Sequence, residues 1–319
     1  MLATPLNVLL LRALAEGTSR QTDLRRAAGM PAQTTLRAHL RKLVESGALV
    51  KQRHDDFPGA LELELTGAGR DLLGVMATLE AWLAAAPDGR LALGDPPAKA
   101  AIKALAEGWS STILRALAAK PLSLTELDRV ISSLNYPTLE RRLGAMRLVG
   151  QIEARPGGGR GRPYAVTAWL RQGVAPIAAA TYWEHRHRVG AAPPFGRLDA
   201  EAAFLLSVPL LQLPGKLSGS CRLAVEISNG RKHTMAGVVV DAKAGRVVSC
   251  TTRLQGHPDA WTSGSPAAWL AALIDADPGA LELGGDTSLA RAVLDGLHRA
   301  LFAFDAESAR PPGQPAEPT

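Results

Sequence analysis

Leu11-Arg12-Ala13-Leu14-Ala15 recurs as Leu114-Arg115-Ala116-Leu117-Ala118, and this repeat constrains the fold more than any other feature of the 319-residue chain. The same offset of 103 pairs Thr22-Asp23-Leu24 with Thr125-Glu126-Leu127, Thr35-Leu36 with Thr138-Leu139, Leu40 with Leu143, and Gly47 with Gly150. Past those glycines the offset falls to 101, because Thr66 pairs with Thr167. A length change confined to one place marks a surface loop. Within each copy the apolar residues recur at helical spacing three times and then alternate. In the first copy this predicts helices over Pro5–Glu16, Gln21–Ala28 and Pro31–Ser46, then strands over Ala48–Arg53 and Ala60–Leu65. The second copy predicts helices over Ser110–Ala119, Ser123–Ile131 and Tyr136–Val149, with strands near Gln151–Arg155 and Pro163–Val166. Three helices and a hairpin form the winged helix-turn-helix plan.

The run Thr35-Leu36, Leu40-Arg41-Lys42-Leu43, Ser46-Gly47-Ala48-Leu49-Val50 and Leu65-Thr66-Gly67-Ala68-Gly69 resembles the HxlR-type winged-helix regulators of bacteria. The second copy is similar to them through Trp109-Ser110, Ile113-Leu114-Arg115-Ala116-Leu117, Leu124-Thr125-Glu126-Leu127 and Thr138-Leu139-Glu140-Arg141-Arg142-Leu143. It departs from the pattern at Val149-Gly150-Gln151-Ile152 and lacks the glycine three residues after Thr167. The resemblance implies a regulator of transcription that binds double-stranded DNA. It also implies that the helix after each wing, Asp71–Ala86 in the first copy and Ala175–His187 in the second, serves dimerisation. With both units in one chain, these helices could pair internally, giving a monomer that acts as a pseudo-dimer; a homodimer is the other arrangement.

A helix seated in the major groove needs short polar or basic side chains near its N-terminal end, with cations to meet phosphates. Gln33, Thr34, Arg37, His39, Arg41 and Lys42 fill these places in the first copy; Tyr136, Thr138, Arg141, Arg142 and Arg147 fill them in the second. Any single arginine here is also compatible with an ordinary solvated helix face. The second wing, Arg155-Pro156-Gly157-Gly158-Gly159-Arg160-Gly161-Arg162-Pro163, sets three arginines among glycines and prolines, a composition suited to a phosphate ridge or a narrow minor groove. Its glycines are not followed by the lysine and Ser/Thr that close a phosphate-binding loop. The first wing carries His54-Asp55-Asp56, whose carboxylates repel phosphate. The charge balance shows the same asymmetry. Residues 90–195 hold 15 Lys and Arg against 7 Asp and Glu, whereas residues 1–89 hold 10 against 10 and residues 196–319 hold 11 against 13. The net charge of +6 therefore sits in the middle third, as a polyanion partner requires.

Beyond the linker-like Gly190–Gly196 the periodicity changes. A helix interrupted at Pro209 is expected over Leu198–Leu213, followed by strands over Cys221–Ser228, His233–Asp241 and Arg246–Arg253. A helix over Pro266–Ile274, a strand at Leu281–Leu283 and a helix over Ser288–Phe304 complete the segment. Asp259-Ala260-Trp261-Thr262, Ser265-Pro266-Ala267-Ala268-Trp269-Leu270 and Leu281-Glu282-Leu283-Gly284-Gly285-Asp286 resemble the sterol-carrier-protein type 2-like domains. That resemblance implies an apolar tunnel and a hydrophobic small-molecule effector, lined by Phe204, Leu205, Leu211, Val225, Met235, Val239, Trp261, Trp269 and Leu273; each of these also suits plain core packing. The expected architecture is α+β: winged helix-turn-helix units over 1–89 and 90–189, an α/β sandwich-like sterol-carrier-like ligand domain over 197–305, and a disordered tail over 306–319.

Other function classes find little support. His185 and His187 are two apart on a helix and point to different faces, and no Cys/His set has zinc spacing. Gly264-Ser265 lacks the pattern of a nucleophile elbow. The chain is thus read as no enzyme, with no cofactor and no metal. Cys221 and Cys250 read as reduced thiols. No apolar run of about eighteen residues exists to span a membrane, and the N-terminus lacks the basic start of a secretory signal, so a cytoplasmic protein is expected. The alternatives are a winged-helix scaffold for protein partners and a lipid-binding protein without DNA binding.

Overall fold

The computed structural model describes residues 1–53, 61–110, 112–156, 161–188, 195–229 and 232–303. The first repeat comprises α1 (Pro5–Ala15), α2 (Gln21–Ala27), α3 (Gln33–Glu45), β1 (Leu49–Arg53), β2 (Leu61–Leu65) and α4 (Gly67–Ala84). After α5 (Pro96–Ser110), the order returns as α6 (Ile113–Ala119), α7 (Leu124–Val130), α8 (Tyr136–Leu148), β3 (Ile152–Ala154), β4 (Tyr164–Val166), α9 (Ala168–Gln172) and α10 (Val174–His187). The expected hairpins are antiparallel, with Leu49 opposite Leu65 and Ile152 opposite Val166. The sequence reading did not foresee α5, which has no counterpart in the first copy.

Equivalent residues do equivalent work in the two copies. Leu36, Leu40 and Leu43 form one buried stripe on α3, and Leu139, Leu143 and Met146 form the matching stripe on α8. Each helix ends at a glycine in the left-handed region, Gly47 at φ +78° and Gly150 at φ +76°, where a side chain would be strained. The hydroxyl of Thr66 caps α4 by accepting the Gly69 N–H, and it lies 2.6 Å from the Gly47 carbonyl. Thr167 caps α9 in the same way through the Leu170 N–H and reaches the Gly150 carbonyl at 3.0 Å. The start of each post-wing helix is thereby fastened to the end of its three-helix unit.

The two copies share a single hydrophobic core. At its seam, α4 packs along α10. The Trp82 indole Nε1 donates to the Trp169 carbonyl at 3.0 Å, and the Trp183 indole Nε1 donates to the Ala68 carbonyl at 2.7 Å. Trp82 and Trp183 are 101 residues apart, as are Ala68 and Trp169, so the two bonds are images of one another under the repeat. That reciprocity is the signature of an isologous contact. A further bond, Trp169 Nε1 to the Trp82 carbonyl at 2.8 Å, has no image because alanine has no donor to offer. Trp82 and Trp169 stack with ring centroids 4.6 Å apart.

The C-terminal segment places α11 (Arg197–Ser207) ahead of a sheet of β5 (Gly219–Asn229), β6 (Lys232–Lys243), β7 (Arg246–Thr251), β8 (Ala260–Gly264) and β9 (Glu282–Gly285). The helices α12 (Pro266–Ile274) and α13 (Thr287–Leu301) interleave with its last strands. The strand order is β7-β6-β5-β8-β9, antiparallel except for the β5–β8 pair. Strand β8, read from sequence only as a tryptophan-bearing stretch, fills the place beside β5. Leu223, Val225, Val238 and Val240 point to the helices and form a second core with Val293 and Leu297.

Candidate nucleic-acid interface and seam cavity

On α3, the buried leucine stripe turns the opposite face outward, and Gln33, Thr34, Arg37, Arg41 and Lys42 are all exposed. Thr34, Arg37 and Arg41 border one shallow recess with Gln21 of α2 and Lys51 of β1, so recognition helix, preceding helix and wing strand converge there. Arg41 lies 3.7 Å from Glu45, one turn along the same helix, a contact between exposed groups that leaves the guanidinium available. His39 departs from this group: it is half-buried, and its Nδ1 lies 2.8 Å from Asn7 Oδ1 on α1. Burial, with Lys42 nearby, holds its pKa below the usual histidine range, and Asn7 engages one of its ring nitrogens.

On α8, Arg141 and Arg147 are exposed and Tyr136 stands at the helix start, 45% exposed. Thr138 is half-buried, and its N–H is taken by the Asn135 cap at 3.0 Å. Arg142 is half-buried too, with its Nε shielded and unpaired, so it is a weaker candidate for phosphate contact than its neighbours. In the second wing Arg155 and Arg162 are exposed, and Arg155 makes only a surface contact to Glu153 at 3.5 Å. Arg160 lies outside the described residues, as does the first-wing turn His54–Gly59. The start of α7 in the second copy is held by a capping box: Ser123 accepts the Glu126 N–H, and the Ser123 N–H and hydroxyl donate to the Glu126 carboxylate at 2.7 and 2.8 Å. These bonds hold the Glu126 pKa below the usual carboxylate range.

The candidate effector residues divide between two faces of the sheet. A cavity of about 300 Å³ lies between α10, α11 and α12. Phe204, Val225, Trp269 and Leu273 line it; Phe204 and Trp269 meet edge to face at 4.9 Å. Leu205 and Leu211 are instead core contacts, Leu211 beside Gly296 of α13. Met235, Val239 and Trp261 are corrected to the opposite face. Side chains alternate along a strand, so with Val225 and its partner Ala236 turned inward, the next pair, Glu226 and Met235, must turn outward. Met235 is accordingly exposed, and Trp261 lies across β9, where a Cβ on Gly284 would come within 2.4 Å of its indole. Sequence reasoning missed the polar end of the cavity, formed by Arg115, His185 and Asp199, because those residues come from three helices far apart in the chain.

Among the described residues, no group of three or more His, Cys, Asp or Glu is placed to hold a metal ion, and no helix is long and apolar enough to cross a membrane. Cys221 and Cys250 are free thiols. Both pair with Val240, from opposite sides of β6, so they lie two strand spacings, about 9.5 Å, apart, beyond disulfide reach.

Three helices closed by a two-stranded wing define residues 5–84 as a helix-turn-helix unit of the DNA-binding kind. Residues 2–88 match the HxlR-like helix-turn-helix family, a family of DNA-binding transcription regulators. No curated protein matches the chain.

Proposed function

We propose that the protein is a sequence-specific, double-stranded-DNA-binding transcriptional regulator whose second repeat is a second winged helix-turn-helix, so that one chain acts as a pseudo-dimer. The single observation carrying this reading is the repeat-related pair of indole bonds, Trp82 to Trp169 and Trp183 to Ala68, between two units that each turn a cationic helix outward. A two-fold seam relates two recognition helices in the way that a dimer reads two half-sites. Here the halves differ in sequence, and the expected operator is correspondingly an imperfect palindrome.

Within that reading, Gln33, Thr34, Arg37 and Arg41 contact base edges and phosphates from the first unit. Arg141, Arg147, Arg155 and Arg162 supply most of the electrostatic affinity from the second, in keeping with the basic excess of residues 90–195. Units spanning 1–89 and 90–189 bind DNA, and the segment from 197 onward is a sterol-carrier-like domain that takes a hydrophobic effector. Selection of bound fragments from a random duplex pool at two salt concentrations tests this. Two unequal half-sites related by approximate dyad symmetry are expected; a single half-site would remove the pseudo-dimer, and no enrichment would remove sequence-specific binding.

A further inference from the structure

One face of α10 carries Val174, Ala178, Thr181 and His185 at helical spacing, and all four line the 300 Å³ cavity against the C-terminal segment. The neighbouring face carries the seam: Trp183 bonds the Ala68 carbonyl, and His187 Nε2 lies 2.8 Å from Asp71 of α4. A third contact, from the Tyr182 hydroxyl to Asp275 at 2.7 Å, ties the same helix to the end of α12. One helix thus touches the first unit, the cavity and the C-terminal segment.

The cavity wall is mostly apolar, with aromatic rings from Trp109, Phe195, Phe204 and Trp269. Two of its lining residues nevertheless hold polar atoms that are shielded from solvent and have no hydrogen-bond partner, Arg115 Nε and His185 Nε2. Buried polar groups are normally satisfied, and a pair of orphans bordering one apolar cavity points to a ligand that carries the missing group. Arg115 Nε can only donate, so the ligand must accept. The formal charges nearby argue against an anion. The guanidinium is already paired with Asp199, and Glu184 adds a second carboxylate to the lining.

Adjoining it around α10 lies a second recess of about 450 Å³, which shares Ile177 and Glu184 with the first. α10 borders free volume along these two recesses while Ala175, Ala179 and Trp183 on it are buried in the shared core, so a shift of the helix within that volume is carried to the seam with the first unit. We infer that the cavity between α10 and the C-terminal segment binds a neutral, ring-bearing small molecule with one hydrogen-bond acceptor, and that its occupancy moves α10 and so changes DNA affinity. The regulatory half rests on the DNA-binding reading above; the binding half does not.

The probe is prodan, a neutral naphthyl ketone whose emission moves to the blue in apolar surroundings, titrated into the full chain without DNA. Saturable binding of one prodan per chain is expected. Naphthalene, which lacks the acceptor, should compete about tenfold more weakly, and naphthoate, which is anionic, should compete weakly as well. His185→Phe keeps the ring and removes the polar atom; it should weaken prodan about tenfold and leave naphthalene almost unchanged. Ala178→Trp fills the cavity and should abolish binding; should that variant not fold, the His185→Phe comparison decides alone. Unsaturable binding, or equal affinities for all three probes in both proteins, overturns the site. For the regulatory half, saturating prodan should change the affinity for the selected duplex at least threefold, and the duplex should change prodan affinity by the same factor. Saturable prodan binding with no such reciprocal change overturns the coupling and leaves the site standing, while failure of every duplex to bind leaves the fluorescence titration intact.

Discussion

Replacing Trp82 by phenylalanine isolates the contribution of the seam. Trp82 is fully buried, and its indole N–H is spent on the Trp169 carbonyl. Losing a hydrogen bond of this kind costs about 1 kcal/mol net. The stranded carbonyl keeps only a long contact from the Gly173 N–H at 3.3 Å, so its incomplete satisfaction costs roughly a further 1 kcal/mol. Shrinking indole to phenyl leaves roughly 40 Å³ unfilled, which at about 24 cal/mol per Å³ adds close to 1 kcal/mol. The bond from Trp169 Nε1 to the residue 82 carbonyl survives, because it uses backbone. Trp82→Phe should therefore destabilise the chain by about 3 kcal/mol, read as the shift in guanidinium midpoint followed by far-ultraviolet circular dichroism, since the core is continuous across both units. Trp183→Phe loses the image bond but has no stacked partner, and about 2 kcal/mol is expected. A loss below 1 kcal/mol in Trp82→Phe would refute the claim that these bonds hold the two halves together.

Three further outcomes follow from the same geometry. Each neutralised phosphate contributes roughly 0.9 to the slope of log affinity against log salt, so Arg155→Ala with Arg162→Ala should flatten that slope by about one to two; an unchanged slope would take the second wing off DNA. Glu126 has its pKa held low by the bonds from Ser123, so its contribution is complete above the ordinary carboxylate range and disappears as pH falls through the depressed value. Glu126→Gln should accordingly make stability less steeply dependent on pH below about pH 5, measured by acid titration of the unfolding midpoint. Burial pushes the Cys221 thiol up to about 12 and the Cys250 thiol up to about 11. Alkylation by iodoacetamide at mildly alkaline pH should therefore be slow in the folded chain, slowest at Cys221, and fast after denaturation; equal rates in both states would show the thiols to be exposed.

The repeat was legible because its period survives in the residues that cap and stop helices, Thr66 and Thr167, Gly47 and Gly150, where backbone geometry leaves few choices. The inward faces of α3 and α8 followed from leucine spacing. Three things were hidden, each for a physical reason. Helix α5 carries a helical pattern but has no repeat partner to mark its bounds. Strand β8 is short, and its burial depends on pairing with β5, some forty residues earlier in sequence. The outward turn of Met235, Val239 and Trp261 is set by strand register, and a one-residue change in register exchanges the two faces of every strand. The engagement of His39 by α1 was hidden for a related reason. Its position beside Arg37 and Arg41 in sequence gave no sign that Asn7 on α1 would claim its ring.

Under the proposed pseudo-dimer, fusion of the two units accounts for the asymmetry of the seam. In a homodimer each residue must suit both sides of the two-fold axis, so a change at one place is a change at two. Within one chain that requirement lapses. Ala68 of α4 corresponds to Trp169, and only Trp169 stacks on an indole across the seam. Gly69 lies so close to the preceding turn that a Cβ would come within 2.1 Å of the Ala48 carbonyl, yet its counterpart is Leu170. The second copy starts its post-wing helix at the equivalent residue, Ala168, but divides that helix at Gly173 into α9 and α10. The division turns α10 into the element that meets the C-terminal segment, with Arg171 just before the break donating to the Leu205 carbonyl at 3.0 Å. If the break has this purpose, restoring the first-copy pattern by Leu170→Gly and Gly173→Leu should straighten the helix and strain its contact with α11. The measurable result would be loss of prodan binding with the seam retained, and unchanged prodan affinity in a folded double variant would refute it.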